Sequence, residues 1–139
     1  MKALYTAQAT AQGGREGNVS TPDNKVDLNL SVPEELGGSG GNGTNPEQLF
    51  ASGFSACFDG ALNLVADQNG ENIESTITSQ VHIGKDNPEG FKLAVHLTAE
   101  MKGVDQAKAD ELVEKARNVC PYSKATEGNI EVTYEAKAV

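Results

Sequence analysis

Five segments of the chain alternate apolar and polar residues with a period of two, the pattern of strands with one buried face. The clearest sets Val26, Leu28, Leu30 and Val32 against Asp27, Asn29 and Ser31. A second sets Phe91, Leu93, Val95, Leu97, Ala99 and Met101 against Lys92, His96, Thr98, Glu100 and Lys102, and a third sets Ile130, Val132, Tyr134 and Ala136 against Glu131, Thr133, Glu135 and Lys137. Tyr5, Ala7, Ala9 and Ala11 repeat the pattern more weakly, as do Ile77, Val81 and Ile83 with Ser79 in the apolar register. Gly13-Gly14-Arg15-Glu16-Gly17 and Asn87-Pro88-Glu89-Gly90 have turn chemistry, glycine supplying positive φ and proline fixing a bend. Antiparallel hairpins are the expected result.

Between the segments ending at Val32 and beginning at Ile77 the period changes. Thr44-Asn45-Pro46-Glu47-Gln48 has a cap at Thr44 or Asn45 and a proline in the first turn, and predicts a helix running to about Gln68. Apolar residues lie on every side of it, including Leu49, Phe50, Phe54, Phe58, Leu62, Leu64 and Val65, so it is expected to be buried all round. Asp59 and Asn63 near its middle argue against a membrane span. Gly53, Cys57, Gly60, Ala61 and Leu64 form a stripe of mostly small residues that would let a partner helix approach closely. A second helix starts at an Asp105 cap, buries Ala109, Leu112, Val113, Ala116 and Val119, and stops at Pro121, leaving Cys120 facing inward at its end. The order is that of an α+β fold, with antiparallel sheets and a buried central helix in a single domain, residues 1–139. Gly37-Gly38-Ser39-Gly40-Gly41-Asn42-Gly43 reads as a flexible loop without the Gly-Lys-Ser/Thr ending of a phosphate loop.

Composition narrows the function. The 139 residues suffice for one core without a disulfide staple, and a net charge of −9 opposes binding to nucleic acid or an anionic membrane. The first residues form no signal-peptide pattern, which points to a cytoplasmic protein with reduced thiols. His82 and His96 fall on the polar phase of their strands with no carboxylate or second histidine spaced to join them, so no metal site is expected.

Attention then falls on the two cysteines, Cys57 and Cys120. One reading makes both small core residues. The other makes them chemically unequal. Cys57 lies deep in the central helix, where burial raises its pKa, so a thiolate there needs a cation; Arg15, on its glycine-rich turn, is the candidate. Cys120, at a helix C-terminus, is the poorer nucleophile. Two unequal thiols suit a peroxidatic and a resolving role, the first attacking an O–O bond and the second condensing with the resulting sulfenic acid. Glu47 either closes a capping box or orients Arg15. Because Glu47 and Cys57 are separated by about 15 Å along a continuous helix, one arginine reaches both only if the helix breaks near Gly53 or the site combines two subunits.

Gly13-Gly14-Arg15-Glu16-Gly17, Glu35-Leu36-Gly37-Gly38, Thr44-Asn45-Pro46-Glu47-Gln48-Leu49-Phe50-Ala51, Ser55-Ala56-Cys57-Phe58 and Val119-Cys120-Pro121-Tyr122-Ser123, followed by Ala125-Thr126 and Gly128-Asn129-Ile130, together resemble the organic hydroperoxide resistance proteins of the Ohr/OsmC superfamily. The resemblance implies an OsmC-like, intertwined homodimer in the cytoplasm, without metal or prosthetic group. It implies a thiol-dependent peroxidase that reduces organic and fatty-acid hydroperoxides to alcohols and is re-reduced by dihydrolipoyl groups of lipoylated proteins. Cys57 falls on the peroxidatic cysteine and Cys120 on the resolving one, with Arg15 on the activating arginine and Glu47 on the carboxylate that positions it. Leu36, Phe50 and Phe91 are expected to line the site for an apolar substrate tail. Two alternatives stand beside this reading: an OsmC-type peroxidase with another reductant preference, and a non-catalytic domain that binds apolar ligands.

Overall fold

A computed structural model describes residues 1–139, which divide into two compact units, Met1–Leu49 and Phe50–Val139. In the first, β1 (Thr10–Gln12), β2 (Asn18–Ser20) and β3 (Asp27–Asn29) form an antiparallel sheet in that order. The glycine-rich turn predicted between β1 and β2 is present as a 3-10 turn, Gly14–Glu16. β2 itself escapes the alternation because its three residues, Asn18, Val19 and Ser20, hold a single apolar side chain. A second 3-10 turn spans Glu34–Leu36.

Two expectations for this unit change. The glycine-rich loop does not hang free: Gly40 N–H donates to the Val32 carbonyl at 3.0 Å and Gly43 N–H to Ser31 Oγ at 2.9 Å. Glycine is needed at 43 because a Cβ there would sit 2.5 Å from the Leu30 carbonyl carbon. The alternating residues near the N-terminus form a strand only at Thr10–Gln12, and Leu4 and Tyr5 are 97% and 85% exposed, so their apolar phase has nothing to pack on within the chain.

Helix α1 (Pro46–Gln68) starts at Asn45, whose Oδ1 accepts the Gln48 N–H at 2.8 Å, and ends at the predicted residue. The unit boundary falls in its first turn. Within the second unit, β4 (Glu74–Asn87), β5 (Gly90–Lys102) and β6 (Val132–Ala138) form a sheet with β5 central, and α2 (Gln106–Val119) and α3 (Pro121–Thr126) connect β5 to β6. The β4–β5 pair is the predicted antiparallel hairpin. β6 instead runs parallel to β5, so this sheet is mixed rather than wholly antiparallel. The helical crossover explains it, since a parallel neighbour needs a connection of about a dozen residues or more.

β5 places Val95, Leu97, Ala99 and Met101 on one fully buried face, as its alternation requires. Phe54, Phe58 and Leu62 of α1 and Leu112 and Ala116 of α2 pack with them, each large side chain contributing about 1.5–3 kcal/mol. Asp59 and Asn63, the polar interruptions of α1, hydrogen-bond with Ser75 at the start of β4. By length and composition alone α1 could cross a membrane; its packing is that of a core helix. It is not buried all round within the chain, however. Ser52, Ala56, Gly60 and Leu64, one stripe at four-residue spacing, are exposed.

Candidate functional site

The site residues fall into two constellations, one in each unit. In the first, Arg15 occupies the 3-10 turn, entered through Gly13 at φ 83° and left through Gly17, where a Cβ would overlap the Gln12 carbonyl. Glu47 stands in the first turn of α1. Their side chains meet as a fork: Arg15 Nη1 donates to Glu47 Oε2 at 2.9 Å and Nη2 to Oε1 at 2.7 Å. The two hydrogen bonds hold the Glu47 carboxyl below the usual carboxylate range against the opposing effect of burial, and raise the Arg15 pKa further. Glu47 is thus paired with Arg15. The third position of the helix, where a capping box would close, is Gln48.

The second constellation is built on the thiols. Cys57 lies on α1 and is partly buried; Cys120, fully buried, joins α2 to α3. Pro121 produces this corner by forcing the preceding residue out of the helical region, and Cys120 adopts φ −64° and ψ 119°. The proline therefore ends α2, as expected, and also begins α3, a short helix the pattern does not reveal. Both cysteines are free, and the Cys120 thiol donates to Cys57 Sγ across 3.3 Å. Burial pushes the Cys57 pKa up, while the backbone N–H of Tyr122, the first amide after the donorless proline, hydrogen-bonds Cys57 and opposes that rise.

Tyr122 is the participant that sequence reasoning leaves without a role. Its ring packs against Phe50 at 6.1 Å and Phe54 at 5.8 Å between centroids. Only its place two residues after Cys120 could have signalled it. Phe50 itself packs against the core cluster that Cys57 also borders. Phe91 does not: it is 59% exposed near the tip of the β4–β5 hairpin, with Lys85 Nζ 4.3 Å above its ring. The alternation that carries Phe91 continues past the end of the core. Leu36 ends the 3-10 turn Glu34–Leu36 of the first unit, half-buried. The fold also supplies a carboxylate that sequence spacing does not show, Glu135, 3.4 Å from His96 across the β5–β6 pair.

The α1 helix is continuous through Gly53, so the alternative of a break there is excluded.

A family model described as OsmC-like protein matches residues 38–135. An organic hydroperoxide resistance protein of Xanthomonas axonopodis pv. citri is 54% identical over 134 residues, covering 95% of this chain and 94% of its own. The crystal structure of an organic hydroperoxide resistance protein from Elizabethkingia anophelis is 46% identical and superposes with a TM-score of 0.95 over 100% of both chains. That of OhrB from Bacillus subtilis is 47% identical, with a TM-score of 0.90 over 97% of this chain and 100% of its own. With this fold, and with identity sustained along nearly the whole chain, the protein belongs to the organic hydroperoxide resistance proteins of the OsmC-like family.

Proposed function

We propose that the chain protects against organic hydroperoxides as a two-cysteine thiol peroxidase. The observation that carries this reading is the pair of free thiols 3.3 Å apart, one buried and one partly accessible. Relatives named for organic hydroperoxide resistance support the substrate class. The Cys57 thiolate attacks the terminal oxygen of ROOH; the O–O bond breaks, the alkoxide leaves and takes a proton to become ROH, and Cys57 becomes a sulfenic acid. Cys120 Sγ then displaces the sulfenic hydroxyl, which leaves with the thiol proton as water, and the S–S bond forms. A dihydrolipoyl dithiol reduces that bond by two exchange steps, restoring both thiols and becoming the cyclic disulfide.

Since burial raises the Cys57 pKa, activation falls to Arg15, held in place by Glu47. In an uninterrupted helix Glu47 and Cys57 stay about 15 Å apart, which favours an Arg15–Glu47 pair serving the Cys57 of a second subunit. The exposed Ser52-Ala56-Gly60-Leu64 stripe and the unpacked N-terminal apolar residues support a homodimer. A cytoplasmic setting keeps the thiols reduced between turnovers.

Mass spectrometry after one equivalent of cumene hydroperoxide tests the reading. Wild type should lose two hydrogens as a Cys57–Cys120 disulfide, Cys57→Ser should show no such loss, and Cys120→Ser should stop at the sulfenic acid. Unchanged mass in wild type would transfer support to the ligand-binding alternative. Comparing dihydrolipoamide with glutathione and thioredoxin as reductants separates the two peroxidase readings.

A further inference from the structure

Glycine inside a helix lowers its stability, so a glycine at position 53 of α1 calls for a reason beyond the helix itself. The stripe that includes it suggests room for a partner helix, but in the fold the space belongs to this chain's own Tyr122. A Cβ placed on Gly53 would lie 2.8 Å from Tyr122 Oη and 3.2 Å from Cε2 and Cζ. Phe50 and Phe54 flank the same ring at centroid distances of 6.1 and 5.8 Å. Gly53 is thus the floor of a notch and the two phenylalanines its walls. Cys57 stands four residues further along the helix, on the adjoining turn of the same face.

Tyr122 is tied to Cys120 through Pro121, whose ring fixes one backbone torsion, so little slack separates the seated aromatic ring from the buried sulfur. We propose that Gly53 is a positioning residue: by carrying no side chain it seats Tyr122 on α1, and the seated Tyr122 holds Cys120 within reach of Cys57 for closure of the disulfide. This rests on the two-cysteine reading. The sulfurs at 3.3 Å must approach to about 2.05 Å as the Cys57 S–O bond breaks, water leaves and the S–S bond forms. An alanine at 53 would force the Tyr122 hydroxyl back by about 0.7 Å to regain ordinary contact. The ring is 39% exposed on its outer side but held against Phe50 and Phe54 on its inner side, so part of the movement passes to the backbone that carries Cys120.

The test is a single-turnover experiment on the intact protein, with tert-butyl hydroperoxide as oxidant, acid quenching and thiol counting by mass spectrometry. In Gly53→Ala, Cys57 should still be oxidised, but closure should slow by about tenfold, the scale expected for sub-ångström misplacement of reacting groups. The sulfenic acid should accumulate and be trapped by dimedone. Alanine is the better helix former, so loss of helix is not a competing cause. Tyr122→Ala should also slow closure by vacating the notch, and adding Gly53→Ala to it should change nothing further. Closure at the wild-type rate in Gly53→Ala overturns the proposal, as does an equal slowing by Gly53→Ala in the presence and in the absence of the Tyr122 side chain. A wild type that is oxidised without forming the Cys57–Cys120 bond instead overturns the two-cysteine reading, and this inference with it.

Discussion

Replacing Glu47 with glutamine keeps the side chain's shape and removes its charge, which isolates what the fork does for Arg15. A carboxylate accepts from both guanidinium nitrogens, at 2.7 and 2.9 Å; an amide accepts with one oxygen and turns its NH2 toward a donor. Hydrogen bonds to charged groups contribute about 1.5–3 kcal/mol when sheltered. The Arg15 side chain is 41% exposed and that of Glu47 13%, so solvent screening reduces the expected loss to about 1 kcal/mol. If that energy holds Arg15 in its active orientation, its loss lowers the oriented population, and kcat/KM for an organic hydroperoxide, by about fivefold. The assay is steady-state peroxidase turnover with dihydrolipoamide, alongside chemical unfolding across pH. Arg15 depresses the carboxyl pKa of Glu47 in the folded state, so the pair contributes stability above the unfolded carboxylate range and loses it as pH falls through the depressed value. Wild type and Glu47→Gln should therefore differ in stability near neutrality and converge on acidification. Wild-type kcat/KM in Glu47→Gln, with Arg15→Ala inactive, would refute the claim that Glu47 positions Arg15.

Arg15→Ala should move the pH midpoint of Cys57 alkylation upward, because the burial that already raises the thiol pKa would then act without the proposed cation; an alkylation profile identical to wild type would remove Arg15 from activation. Phe58→Ala should destabilise the fold by about 3–5 kcal/mol in urea titration, since the ring is fully buried and packs 5.5 Å from Tyr134; a loss below about 1 kcal/mol would contradict its place in the core.

Elements whose code is local are legible before the chain folds. Alternation placed β4, β5 and β6, the Thr44-Asn45-Pro46 signal and the Asp105 cap placed the starts of α1 and α2, and the glycine-rich turn placed Arg15, because period, capping and positive φ act within a few residues. The chemistry-bearing residues were legible as types, two thiols, a cation and a carboxylate, before any of them had a neighbour. Pairing was not legible. The 3.3 Å separation of Cys57 from Cys120, residues 63 positions apart, exists because Pro121 turns the chain at the end of α2, and the Arg15–Glu47 fork closes over 32 positions. Tertiary structure also decided that β6 runs parallel to β5, that Phe91 lies outside the core cluster of its own chain and that Gly53 faces Tyr122. A side chain's local pattern records which way it points, and only the packed chain sets what it meets there.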